Sequence, residues 1–155
     1  MNKEKGKIYA AYGSNLNLEQ MAHRCPAAKV LGVAELDGYR LLFRGDSHSA
    51  VATVEKYEGG SVPLLLWEIA PAAEAALDRY EGWPHLYRKE TIEVKYGGER
   101  ISAMIYIMNG GWPLGAPSLY YYRVIWQGYE DAGFDLAILG KAAHFSATRA
   151  RKAKV

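Results

Sequence analysis

The segment Lys7-Ile8-Tyr9-Ala10-Ala11-Tyr12-Gly13-Ser14-Asn15-Leu16 joins an apolar strand to a helix through three turn-forming residues. Residues 7–12 are apolar on both faces, the pattern of a strand covered on both sides. Gly13-Ser14-Asn15 ends it. A helix is expected at once over residues 17–24, with Asn17 as its cap and Glu19 in its first turn. Such a junction aims several free backbone N–H groups at one place, and the helix dipole adds positive potential there. It suits a carboxylate or a developing oxyanion. It is also, and more commonly, the pattern of an ordinary strand-to-helix turn with a capping side chain.

Downstream, strands are expected over residues 30–35 and 39–44, separated by a hairpin turn at Asp37-Gly38. Two more span 50–56 and 62–69, split by Glu58-Gly59-Gly60. Residues 71–80 form a helix, with Pro71 at a tolerated first position and Gly82 and Pro84 as its stop. Residues 87–96 alternate Thr91, Glu93 and Lys95 with Ile92 and Val94, which is a strand. Gly97-Gly98 turns it back into a partner over 100–108. A loop over 109–116 leads to Ser118, the cap of a helix that Gly133 ends, and a last helix spans 134–147. Strands joined mostly by hairpins, with helices between and after them, predict an α+β fold on a largely antiparallel, barrel-like sheet.

The 155 residues suffice for one domain and a self-sufficient core. The domain is expected over 1–148, with 149–155 as a basic tail that frays. Nineteen Lys and Arg against 17 Asp and Glu give +2, but Arg149, Arg151, Lys152 and Lys154 all lie in the last seven residues. Without those four the balance is 15 against 17, so the body is slightly acidic and no specific nucleic-acid surface is expected. Twelve Tyr against three Phe mean that many rings carry a hydroxyl in need of a partner when buried. Residues 1–7 are polar, with no apolar run behind them, and no stretch approaches a membrane span, so the expected compartment is the cytoplasm. The lone Cys25 excludes an internal disulfide and reads as a small buried hydrophobe near a helix end. His23, His48, His85 and His144 have no metal-ligand spacing.

Glu81 stands out in Leu77-Asp78-Arg79-Tyr80-Glu81-Gly82-Trp83-Pro84. It falls at a helix C-terminus, where the dipole disfavours a carboxylate, and Tyr80 and Trp83 beside it can desolvate it. Both effects push a carboxyl toward the pKa of a general base near neutrality. The same position also fits an exposed helix-end charge. Glu74 and Asp78, one or two turns back, are expected in solvent. In Ser118-Leu119-Tyr120-Tyr121-Tyr122 the three rings point about 100° apart, so one hydroxyl can face a cleft while the others pack or lie in water.

Taken together, Tyr12-Gly13-Ser14-Asn15-Leu16, Leu77-Asp78-x-x-Glu81-Gly82, Tyr87, Tyr106 and Pro117-Ser118-x-x-Tyr121 resemble the γ-glutamylcyclotransferase (AIG2-like) family over residues 7–140. One departure is Leu64 in Val62-x-Leu64-x-x-Trp67, where members often have Gly. The resemblance implies a small mixed β-barrel flanked by helices. It implies a cavity floored by the loop Tyr12 to Leu16, a substrate-contacting Tyr121, and Glu81 as the catalytic acid/base. The implied reaction closes a γ-glutamyl group to 5-oxoproline and releases an amino acid or amine. It needs no metal and no cofactor. The implied partner is a small γ-glutamyl compound, with the chain a monomer or homodimer. The alternative is a binding protein that keeps the fold and the pocket without the chemistry.

Overall fold

The computed structural model describes residues 6–153. Its elements are β1 (Lys7–Ala11), a 3-10 turn (Ser14–Leu16), α1 (Leu18–Arg24), β2 (Lys29–Asp46), β3 (Ser49–Ile69), α2 (Pro71–Glu81), β4 (Tyr87–Tyr96), β5 (Glu99–Met108), α3 (Leu119–Ala132) and α4 (Leu136–Ala153). The strands close into a barrel in the order β1-β3-β2-β4-β5. Neighbours are antiparallel except β1 and β5, which close the barrel in parallel at Tyr9 and Met104. This is the α+β, largely antiparallel barrel expected from the elements, and the small mixed barrel with flanking helices that the family resemblance implies. Its interior is filled by fully buried Leu36, Phe43, Val54, Leu64, Leu66 and Ile105, among others.

Local chemistry sets most of the boundaries as expected. Asn17 caps α1 by accepting from the Gln20 N–H, and Ser118 caps α3 by accepting from the Tyr121 N–H. Gly82 and Gly133 end α2 and α3 in the left-handed conformation. Gly97 and Gly98 both have positive φ, which a two-residue hairpin turn of this kind requires.

Two expected breaks are not breaks. Asp37-Gly38 is not a hairpin turn, and Glu58-Gly59-Gly60 does not split a strand. β2 and β3 form one long hairpin that reverses at Ser47-His48. The two glycine sites lie opposite each other in it. The register passes from Asp37↔Ser61 to Tyr39↔Lys56, so residues 57–60 bulge against Gly38. A Cβ on Gly60 would lie 2.3 Å from the Tyr39 carbonyl oxygen, which explains the glycine. Positive φ serves a bulge as well as a turn, and the arm bends there instead of ending.

The last helix also runs further than expected. α4 reaches Ala153, well into the stretch read as a fraying tail. Residues 1–5 and 154–155, which bear on the expectations for both ends, lie outside the described residues. Among the described residues no helix is long and apolar enough to cross a membrane.

Candidate active site

β1 pairs only with residues 65–69 of β3, so the first half of β3 has an open edge facing the point where β1 and β5 end and β4 begins. Side chains fill that edge. The Ala52 N–H donates to the Tyr121 hydroxyl at 3.0 Å, and the Ala52 carbonyl accepts from the Tyr87 hydroxyl. A cavity of about 200 Å³ lies beside them. It brings together Tyr12, Gly13, Ser14, Asn15, Glu81 and Tyr121, which are six of the seven residues the sequence singles out.

Leu16 is the seventh and does not line the cavity. It is fully buried beneath α3, where a Cβ on Gly128 would lie 2.6 Å from its own Cβ. Its place in the motif is that of an anchor for the loop. Leu64, the departure from the family pattern, points into the core and leaves the cavity wall untouched.

The loop is rigidly held. Gly13 has φ −124°, so its need for glycine comes from close approach and not from a left-handed backbone. A Cβ there would meet Ala52 Cβ at 3.3 Å and the Tyr121 hydroxyl at 3.6 Å. Ser14 shares a hydrogen bond with the Tyr80 hydroxyl at 2.9 Å. The Asn15 carbonyl accepts from the Trp67 indole N–H at 3.1 Å. The N–H groups of Gly13, Ser14 and Asn15 donate to no backbone acceptor among the described residues, as expected at the start of a helical turn.

Glu81 is the last residue of α2, and its carboxyl forms no ion pair among the described residues. Burial pushes it up to about 7, and the Arg24 guanidinium pulls the other way. The desolvation comes from the barrel end and not from Trp83. Trp83 is 41% exposed, with the Lys89 ammonium 4.2 Å from its ring centroid. Around Glu81 the cavity wall is phenolic, with Tyr9, Tyr12, Tyr80, Tyr87, Tyr106 and Tyr121. Burial raises Tyr9, Tyr12, Tyr87, Tyr106 and Tyr121 above the ordinary tyrosine range, so they are neutral hydroxyls at any working pH.

Glu74 and Asp78, expected in solvent, are instead tied into a network. The Tyr106 hydroxyl donates to Asp78 at 2.6 Å, and Lys89 bridges Asp78 at 3.1 Å and Glu74 at 2.7 Å. Lys7 completes the chain at 2.9 Å from Glu74. Sequence reasoning also left out Tyr9, Arg24 and Tyr80 as site residues. The excess of Tyr over Phe was the available signal: half of the twelve tyrosines line this cavity. Tyr121 is the one ring of its run that enters, since Tyr120 is 72% exposed and Tyr122 packs against the core. Cys25 is buried, with its thiol pushed up by burial, as a passive core residue would be. No cluster of metal-ligating side chains occurs among the described residues.

Residues 9–124 match the family model described as gamma-glutamyl cyclotransferase, AIG2-like. The human gamma-glutamylcyclotransferase is 30% identical over 144 residues, which cover 86% of this chain and 75% of that protein. The mouse protein of the same name is 31% identical over 137 residues, covering 81% and 71%. A solved structure titled gamma-glutamyl cyclotransferase superposes with a TM-score of 0.81 at 27% identity, covering 89% of this chain and 86% of that one. With the motif residues gathered in one cavity and the match spanning most of the chain, this protein belongs to the gamma-glutamyl cyclotransferase, AIG2-like family.

Proposed function

We propose that this protein cyclises a γ-glutamyl group to 5-oxoproline and releases the attached amino acid or amine, with Glu81 as general base and then general acid. The observation that carries this reading is Glu81 itself. It is a carboxyl held near 7, free of any ion pair among the described residues, in a cavity lined by Gly13, Ser14 and Asn15, whose N–H groups donate to no backbone acceptor among the described residues.

The chemistry follows from that pairing. The substrate's α-amine gives up a proton to Glu81 and attacks its own γ-carbonyl carbon. A C–N bond forms and the carbonyl oxygen takes the electron pair. The oxyanion then collapses, the original γ-amide C–N bond breaks, and Glu81 returns the proton to the departing nitrogen. A carboxyl balanced near neutrality can both take and return a proton without a large energetic penalty in either direction. The N–H groups of Gly13, Ser14 and Asn15 suit the substrate carboxylate or the oxyanion. Nucleophile and electrophile belong to one molecule, so the site's main task is to hold it in a ring-like pose.

The test is incubation with a panel of γ-glutamyl amino acids and amines, with 5-oxoproline as the readout. Formation of 5-oxoproline from at least one supports the reading. Binding without turnover on every compound contradicts it and favours the binding-protein alternative.

A further inference from the structure

Arg24, the last residue of α1, reaches two residues that line the cavity, Asn15 and Tyr80, and also Gln20 of its own helix. Its Nη1 donates to Asn15 Oδ1 at 2.7 Å and its Nη2 to Gln20 Oε1 at 2.7 Å. Its guanidinium carbon lies 3.6 Å from the centroid of the Tyr80 ring, the neighbour of Glu81. One planar group thus joins the substrate loop to the end of the helix that carries the base.

The contact with Asn15 has a consequence for protons. Arginine has donors and no acceptor, so it fixes which end of the Asn15 amide faces it. Oδ1 faces Arg24, and Nδ2 must face inward, where it donates to the Tyr9 hydroxyl oxygen at 2.9 Å. With its oxygen used as an acceptor, Tyr9 has its own proton free for the cavity. The neighbours differ. Tyr12 and Tyr106 give their protons to the Tyr106 carbonyl and to Asp78, each at 2.6 Å, and Tyr87 gives its proton to Ala52. Tyr80 shares its hydrogen bond with Ser14, in which either hydroxyl can donate; Tyr9 and Tyr121 are the wall phenols whose oxygens accept in these contacts, and Tyr9 is so only while Arg24 holds the amide.

We propose that Arg24 is a positioning residue for this site. It orients the Asn15 amide so that Tyr9 donates into the cavity, and it clamps the Glu81 end of α2 against the substrate loop through Tyr80. This rests on the cyclotransferase reading.

Charge is a separate part of its role. The other titratable groups facing Glu81 are the phenols of Tyr9, Tyr12, Tyr80, Tyr87, Tyr106 and Tyr121, and Asp78 is held by Lys89 and Tyr106. Arg24 is the cation whose field opposes the burial of Glu81.

The experiment compares Arg24→Met and Arg24→Lys with wild type, by kcat against pH and by the melting temperature. Arg24→Met removes both the amide contact and the charge. It is expected to lower kcat on the order of 10²-fold and to move the acidic limb of the profile to higher pH. Arg24→Lys keeps the charge but cannot both stack on Tyr80 and hold the amide as a planar fork does. Its limb is expected to stay in place while kcat remains low. Two results overturn the proposal: an Arg24→Met variant with unchanged kcat and limb, or an Arg24→Lys variant that restores kcat fully. If Arg24→Met does not fold, Arg24→Lys alone decides between low and restored kcat. Should the wild type make no 5-oxoproline, the cyclotransferase reading fails first. The positioning role is then read without turnover, from the carboxyl titration of Glu81 and the Tyr9 hydroxyl resonance by NMR in wild type and Arg24→Lys. A Tyr9 signal unmoved by Arg24→Lys overturns the role on its own.

Discussion

Gly128 of α3 rests directly on the backbone of Leu16: a Cβ there would lie 2.6 Å from Leu16 Cβ and 2.7 Å from its carbonyl carbon. That contact sets the distance between the helix carrying Tyr121 and the loop carrying Gly13 to Asn15. Gly128→Ala should gain up to about 1 kcal/mol in helix propensity but lose about 1–3 kcal/mol to overpacking. Because the clash is with backbone, α3 must move. The expected outcome is a lower melting temperature and a raised KM, measured by calorimetry and steady-state kinetics. A variant with both values unchanged would show that the helix has room to shift freely.

Gly13 fails to tolerate a side chain for a different reason. Its Cβ would crowd Ala52 Cβ and come into contact with the Tyr121 hydroxyl at the cavity wall, while its φ is open to any residue. Gly13→Val should therefore fold with near-normal circular dichroism and lose affinity for a γ-glutamyl ligand by isothermal titration. Retained affinity would place the ligand elsewhere.

Asp78 accepts from Tyr106 and pairs with Lys89, with side chains only 19% and 21% exposed. Asp78→Ala leaves the Tyr106 hydroxyl without its acceptor, while Lys89 keeps Glu74. Loss of one such buried partner costs about 1–3 kcal/mol, readable as a fall in the urea midpoint. The Asn variant still accepts from Tyr106 and should lose less.

How much of this was legible in the sequence follows the range of each interaction. Asn17, Ser118, Gly82, Gly133 and the Gly97-Gly98 turn act within four residues of themselves, and each was readable from its neighbours. Asp37-Gly38 and Glu58-Gly59-Gly60 carry the same local signal, yet they face each other across one hairpin and make a bulge, which only pairing can decide. Glu81 was visible as a helix-end carboxyl, but its desolvation comes from rings that barrel closure brings from β1, β4, β5 and α3. The contact of Arg24 with Tyr80 spans 56 positions of chain and leaves no trace in spacing.

The burial of Glu81 also has a stability signature. Its folded value of about 7 exceeds the ordinary 4.5, so between these the folded chain holds a proton that the unfolded chain has lost. Stability from this group is therefore highest at low pH and falls as pH rises through that window. The shift corresponds to about 3 kcal/mol at most, less whatever solvent the half-buried residue still meets. Glu81→Gln removes the penalty. It should melt a few degrees higher than wild type at pH 8 and nearly level with it at pH 4.5. A difference that does not change with pH would contradict the buried-carboxyl assignment.

The central claim is that Glu81 moves the proton. The direct measurement is the rate of 5-oxoproline formation at saturating γ-glutamyl substrate by wild type and by Glu81→Gln. The Gln side chain keeps size and polarity but accepts no proton, and loss of a general base costs about 10²–10⁴-fold. The Gln variant is expected to fold, to bind substrate with similar affinity and to turn it over at less than about a hundredth of the wild-type rate. A Gln variant that keeps more than about a tenth of that rate would show that another group is the base.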